Sequence, residues 1–247
     1  MPPRQRVTVH PSQIQAASLV LTTDQVHYLR RVLRLQPGNQ FIAQDGEGHR
    51  WLAELTAVAD QATVIESIAT DAPAQADLTL VAALPKAGFD DVVRQVTEIG
   101  VTHIQPLISQ RTLLQPSDNK LKRWQRIAQE ASEQSERLWV PTIYPPLAFA
   151  TWVRGATLLG RNTDQASFFC VARGDAPLLL ADIQGLLATR PTLPVSVAIG
   201  PEGGWTPGEI AEAQAQGHTF VSLGSAVLRA TTAALVAIAI VAAARNN

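Results

Sequence analysis

From residue 78 onward the chain alternates between two kinds of segment. Short apolar runs ("LTLVAALP", "HIQPLIS", "ATLLG", "VSVAIG", "HTFVSLG") are separated by stretches with helical spacing, among them "FDDVVRQVTEIG", "LKRWQRIAQEASEQSERL" and "PGEIAEAQAQG". Apolar runs of this kind suit strands covered on both faces, and the helices between them supply the crossovers that parallel pairing needs. The pattern predicts an α/β domain with a largely parallel sheet. In such sheets ligands sit at the carboxyl ends of the strands, so the loops that follow strands are where function is sought.

Before residue 70 the pattern is different. "FIAQDGEGHRWLAEL" sets two apolar runs around Asp45-Gly46-Glu47-Gly48, a hairpin signal, and "ATVIESIA" reads as a further short strand. "DQVHYLRRVLRL" reads as one short helix with Val26, Leu29 and Leu33 on an apolar stripe and Arg30 and Arg34 on another face, ended by Pro37-Gly38. "TDAPAQAD" has the composition of a linker. The expected organisation is a small, mostly β domain over residues 1–72 and the α/β domain over residues 73–247.

Two features narrow the class. Cys170 is the only cysteine, which excludes an intramolecular disulfide and a cysteine-cluster metal site, and the scattered histidines lack ligand spacing, so no metal is expected. "ATTAALVAIAIVAAA", Ala230 to Ala244, is uncharged but shorter than the roughly 20 residues a membrane span requires, so it reads as a buried helix. With no signal-peptide pattern at the start, "MPPRQRVTVHPSQ", a cytoplasmic location and no membrane partner are expected.

The net charge is −1, yet two stretches are basic. Residues 1–44 carry Arg4, Arg6, Arg30, Arg31 and Arg34 against Asp24, a balance of +4. Residues 110–126 carry Arg111, Lys120, Lys122, Arg123 and Arg126 against Asp118, again +4. Local patches of this size suit phosphate contacts, and equally suit ordinary solvated arginine.

One loop stands out. "VSVAIGPEGGWTPGEIAEAQAQG" runs from a strand through Gly200-Pro201-Glu202-Gly203-Gly204 into a helix start, where Thr206-Pro207-Gly208-Glu209 forms a capping box. Neither the G-x-G-x-x-G nor the G-x-x-x-x-G-K-[ST] phosphate pattern is present, and Glu202 repels phosphate. Three glycines and one acid suit either a tight turn with no ligand or a neutral or cationic ligand approached by bare backbone. "FVSLGSAVLRATTAALVAI" ends its strand in the same way at Gly224.

These two loops together resemble the RsmE family of 16S rRNA uridine-N3 methyltransferases, of the SPOUT superfamily. "QVTEIGV", "ISQRT", "RWQRIAQEASEQSERLWVP" and, near the start, "HYLRRVLRLQPG" with "DGEG" are similar to further family motifs. The resemblance implies a SPOUT (α/β-knot) domain with a C-terminal trefoil knot, preceded by a small PUA-like β-barrel. It also implies a homodimer, S-adenosylmethionine (SAM) as cofactor and the small ribosomal subunit as partner. Ile199, Gly200, Pro201, Gly203, Gly204, Leu223, Gly224, Val227 and Leu228 would then hold the cofactor. Arg4, Arg6, Arg30, Arg31 and Arg34 would hold RNA.

For the reaction, Arg229 is the candidate for charge stabilisation, and Glu202 either takes a proton or braces its loop. Glu98, Glu130, Gln134 and Arg137 are further pocket candidates, while Trp51, Trp124 and Trp205 are read as packing residues. The chain departs from the family's pattern at three positions: Ala226 replaces an arginine, Thr231 a glutamate and Gln95 a lysine. These departures motivate a second reading, a catalytically weak ribosome-binding or assembly module with the same fold.

Overall fold

A computed structural model describes residues 5–68, 76–113, 116–155 and 165–245. The chain divides into two compact units, Met1–Pro73 with Gln129–Val140, and Ala74–Ala128 with Pro141–Asn247. Residues 129–140 count with the first unit, which the sequence did not suggest.

The first unit is a six-stranded sheet of β1 (Arg6–Thr8), β2 (Ile14–Gln15), β3 (Ser18–Val20), β4 (Gln40–Gln44), β5 (Arg50–Leu55) and β6 (Gln61–Ile68), in the order β1-β4-β5-β6-β3-β2. Every pairing is antiparallel except β1 with β4. Leu19, Leu29, Phe41 and Leu55 lie at its buried centre. The expected single helix is instead α1 (Thr23–His27), capped by Thr22 and Gln25, followed by one π-helical turn over Tyr28–Val32. The helix stops before Arg34, whose φ of 57° cannot continue it.

The Asp45–Gly48 hairpin is present. Asp45 Oδ1 accepts from the N–H groups of Glu47 (2.7 Å) and His49 (3.0 Å), and Oδ2 is 2.7 Å from His49 Nδ1. Burial alone would raise the Asp45 carboxyl, but the two backbone donors and the imidazole outweigh it and hold the group below its ordinary value.

The second unit contains β7 (Leu78–Ala83), α2 (Phe89–Ile99), β8 (His103–Ile108), α3 (Asp118–Gln134, whose residues from Gln129 on count with the first unit), β9 (Thr142–Ile143), β10 (Leu147–Ala148) and α4 (Phe149–Val153). These are followed by β11 (Ala166–Cys170), α5 (Leu179–Thr189), β12 (Val195–Ile199), α6 (Pro207–Ala215), β13 (Thr219–Val221) and α7 (Ala230–Arg245). The sheet order is β10-β8-β7-β12-β11-β13, with β9 also on β8, and every pairing is parallel. All six residues of β7 and all five of β12 are buried, as expected of strands covered on both faces. The run "ATLLG", expected as a strand, lies outside the described residues. A strand that the apolar runs did not suggest, β11, stands between β12 and β13.

Asp90, in the first turn of α2, accepts from Trp124 Nε1 at 2.9 Å and from Arg123 Nε at 2.7 Å, which anchors α3 on α2. Helix α7 packs on α2, α5, β7 and β12. It buries Ala234, Ala237, Ile238 and Val241, small or medium side chains that permit close approach. Arg245 closes its far end by donating to the carbonyls of Ala76, Asp77 and Leu193. Among the described residues no helix is long and apolar enough to cross a membrane.

Candidate functional site

Strand order creates the site. From β7 the chain leaves toward β8, and from β12 it leaves toward β13, so the loops at the carboxyl ends of these adjacent strands diverge. That divergence is a topological switch point, where open parallel sheets bind ligands. Here Pro85, Phe89, Ile199, Ala230 and Thr231 line one crevice. The segment after β13 therefore returns to this crevice, where Ala230 and Thr231 at the start of α7 stand with Ile199 at the end of β12.

The loop after β12 is fixed on several sides. Gly204 N–H donates to the Pro201 carbonyl at 2.8 Å, and Gly204 has a φ of 68° that favours glycine. Trp205 is buried, packs with its ring centre 4.6 Å from that of Phe169 in a tilted pair, and donates from Nε1 to the Cys170 carbonyl at 3.1 Å. A Cβ on Gly200 would lie 3.1 Å from that indole, a contact tight enough that the ring would have to shift to admit a side chain. The capping box of α6 forms as the sequence suggested, with Thr206 as N-cap and Pro207 at the first turn.

Glu202 accepts from the Lys86 N–H at 2.9 Å, tying the loop after β7 to the loop after β12. Gly224 has a φ of 133°, and its N–H and carbonyl are both bonded to the Ser222 hydroxyl, at 3.2 and 3.0 Å. Several backbone groups expected to face a ligand are thus already partnered inside the loops: Gly203 O, Gly204 N–H and both groups of Gly224. Val227 is 65% exposed, Leu228 is half-buried and Arg229 is exposed at the start of α7.

The other candidates separate. Arg137 lies beyond the end of α3 at Gln134, so it is not on one helical face with Glu130 and Gln134; burial pushes its guanidinium down to about 10. All three count with the first unit. Glu133 accepts from the Thr8 N–H at 2.7 Å, a partner that helical spacing could not show. Glu98 is exposed and pairs with Arg94 on α2. Burial raises the Cys170 thiol to about 12, which leaves it inert. Trp124 and Trp205 are buried packing residues, and Trp51 packs on the core of the first unit.

Of the five arginines expected to meet RNA, Arg4 lies outside the described residues. Arg6 pairs with Glu136 at 2.7 Å. Arg30 donates to the carbonyls of Thr56, Val58 and Ala59 and so holds the β5–β6 turn. Arg31 and Arg34 are exposed. Sequence reasoning counted Arg111 in a basic stretch but missed its donation from Nη1 to the Gly203 carbonyl, and it missed the second role of Glu209, which accepts from Gln110 N–H at 2.9 Å. The capping box revealed Glu209; its partner across the sheet edge left no local signal.

Comparison with known proteins gives the class first. Residues 72–242 match the RNA methyltransferase domain and residues 21–66 the RNA methyltransferase PUA domain, so the fold is that of a SPOUT-type RNA methyltransferase with a PUA-like unit ahead of it. The ribosomal RNA small subunit methyltransferase E of Synechocystis sp. is 44% identical over 95% of this chain and 76% of its own. That of Bacillus subtilis is 28% identical over 91% and 89%. Among solved structures, the Neisseria gonorrhoeae small subunit methyltransferase E bound to S-adenosyl methionine superposes with a TM-score of 0.82 at 29% identity, covering 96% of both chains. A Legionella pneumophila methyltransferase structure shares the fold with a TM-score of 0.84 at 24% identity, covering 98% of both chains. The chain belongs to the ribosomal RNA small subunit methyltransferase E family.

Proposed function

We propose that this protein methylates N3 of a uridine in the 16S rRNA of the small ribosomal subunit, using SAM. The observation that carries the reading is the crevice at the β7/β12 switch point, lined by Ile199 just before one glycine loop and by Ala230 and Thr231 just after the other, in a chain whose relative was solved with this cofactor bound. Gly200, Gly203 and Gly224 present no side chain, and the one acid, Glu202, suits a group without negative charge. Ile199, Gly200, Pro201, Gly203 and Gly204 would approach the cofactor from one side, and Leu223, Gly224, Val227 and Leu228 from the other. When bound, SAM supplies a methyl group on a sulfonium.

The chain's own contribution is alignment and charge. N3 must lose its proton before it is an effective nucleophile, and exposed Arg229 at the start of α7 supplies positive charge for the anion. Glu202 has one carboxylate oxygen on Lys86 N–H, which suits a brace better than a base. Residues 1–72 serve as the RNA-holding domain, with Arg31 and Arg34 on phosphates, and residues 73–247 as the transfer domain.

The same reading places the protein in the cytoplasm as a homodimer, with α7 threaded through a trefoil knot. Support for the dimer comes from α7, where Leu235, Val236 and Ile240 stay half-exposed on a helix with no charge before Arg245. The test is methyl transfer from labelled SAM to small subunits that lack the modification. Labelled 3-methyluridine at one site is the expected product. Cofactor binding without any labelled nucleoside would favour the binding-module reading, which Ala226 and Thr231 motivate.

A further inference from the structure

The turn after β8, Ser109–Thr112, is fastened to the glycine loop through Arg111 and to the start of α6 through Gln110. Glu209, 7% exposed, accepts through Oε1 from Gln110 N–H at 2.9 Å and through Oε2 from Thr206 N–H at 2.8 Å and its hydroxyl at 3.1 Å. The Arg111 guanidinium donates to the Gly203 carbonyl, and its Cδ stands 3.0 Å from where a Gly203 Cβ would be. The turn is rigid in itself: the Thr112 hydroxyl accepts from Ser109 N–H at 3.0 Å, and Thr112 N–H donates to the Ser109 carbonyl at 3.1 Å.

A segment with glycine at 200, 203 and 204 has wide backbone freedom, which a ligand must suppress on binding unless the fold has already done so. Arg111 fixes the direction of the 203–204 peptide, and Glu209 fixes the position of the turn that carries Arg111. We propose that Arg111, supported by Glu209, is a positioning residue that holds the glycine loop in its cofactor-binding form, an inference that rests on the SAM reading of this site. Neither side chain touches the reacting atoms in this account, so affinity rather than turnover carries the effect.

The experiment is calorimetric titration of SAM into the full chain and into Arg111→Met, Arg111→Lys and Glu209→Gln, with melting of each unliganded protein and kcat at saturating SAM. Arg111→Met is expected to weaken SAM binding by about tenfold or more. Its unliganded melting temperature should move by less than about 2 °C, since the side chain is exposed. Arg111→Lys keeps one donor and recovers part of the affinity, and kcat at saturation stays within about threefold of the parent. Wild-type affinity in Arg111→Met overturns the proposal, as does a fall in kcat with affinity unchanged. No SAM binding by the parent protein would instead refute the reading of the site. Should Glu209→Gln fail to fold, the two Arg111 variants decide the matter alone.

Discussion

Trp205 joins the site to the core, and replacing it by phenylalanine separates two energies. The indole is 8% exposed, with ring centres 4.6 Å from Phe169 and 5.4 Å from Phe149. Its Nε1 donates to the carbonyl of Cys170 at 3.1 Å, at the carboxyl end of β11. Phenylalanine removes that donor from the Cys170 carbonyl, at a cost of about 1–2 kcal/mol. The smaller ring also forfeits apolar contact and leaves a partial void, about another 1–2 kcal/mol. Together the loss is about 2–4 kcal/mol. At about 2–4 °C per kcal/mol for a protein of this size, the melting temperature should fall by about 5–15 °C in scanning calorimetry. The void opens beneath Gly200, so SAM affinity should fall as well. A melting shift of under about 2 °C would refute the reasoning, because it would mean the indole neither holds β11 nor fills the space under the loop.

Other outcomes follow from single contacts. Asp45 has a folded pKa below its ordinary value of 3.8, so its carboxylate stabilises the first unit above that pH and the contribution is lost as pH falls through the folded value. Asp45→Asn should therefore be less stable than the parent at neutral pH, and the gap should narrow in acid, followed by denaturant unfolding at stepped pH. A Cβ on Gly48 would stand 2.5 Å from the Trp139 ring at a φ of 105°, whereas one on Gly38, at φ 86°, meets nothing. Gly48→Ala should consequently destabilise the unit more than Gly38→Ala, which carries only backbone strain of about 1–2 kcal/mol in the same unfolding assay. Under the proposed function, Thr231→Ala should retain methyl transfer within about threefold; a loss of about 100-fold or more would make the hydroxyl part of the proton path.

What the sequence disclosed and what it withheld divide along physical lines. Local chemistry was legible: the Thr206–Glu209 box needs only four residues, and the Asp45–Gly48 hairpin needs its glycines and flanking apolar runs. The parallel sheet was legible from buried β-branched runs such as "VSVAIG". Strand order was not, because β12 beside β7 is a pairing across more than a hundred residues with no local trace. β11 was missed although "ASFFC" is apolar, since it follows directly on polar residues and lacks β-branched side chains. Arginine roles were the least legible. Arg6, Arg30 and Arg111 look alike as charges, yet one pairs with Glu136, one ties a turn and one holds the glycine loop.

The position of Thr231 bears on how the proposed reaction can lose its proton. Thr231 lines a crevice with Pro85, Phe89 and Ile199, and its methyl group lies close to Gly88. A glutamate there would carry its charge into apolar surroundings, which disfavours the charged form and raises the carboxyl pKa. Such a group accepts a proton readily near neutrality, and that gives a carboxylate at this place its chemical sense. Threonine surrenders this property and spares the crevice an unpaired charge. Among the described residues no carboxylate lines that crevice: Glu202 is turned to Lys86, and Glu209 is closed by Gln110 and Thr206. In this chain the proposed transfer must then rest on alignment by the glycine loops and on the charge of Arg229, with solvent or the RNA itself taking the proton. A rate that rises with pH toward the ordinary N3 ionisation, with no plateau from a carboxylate, is the signature of that arrangement.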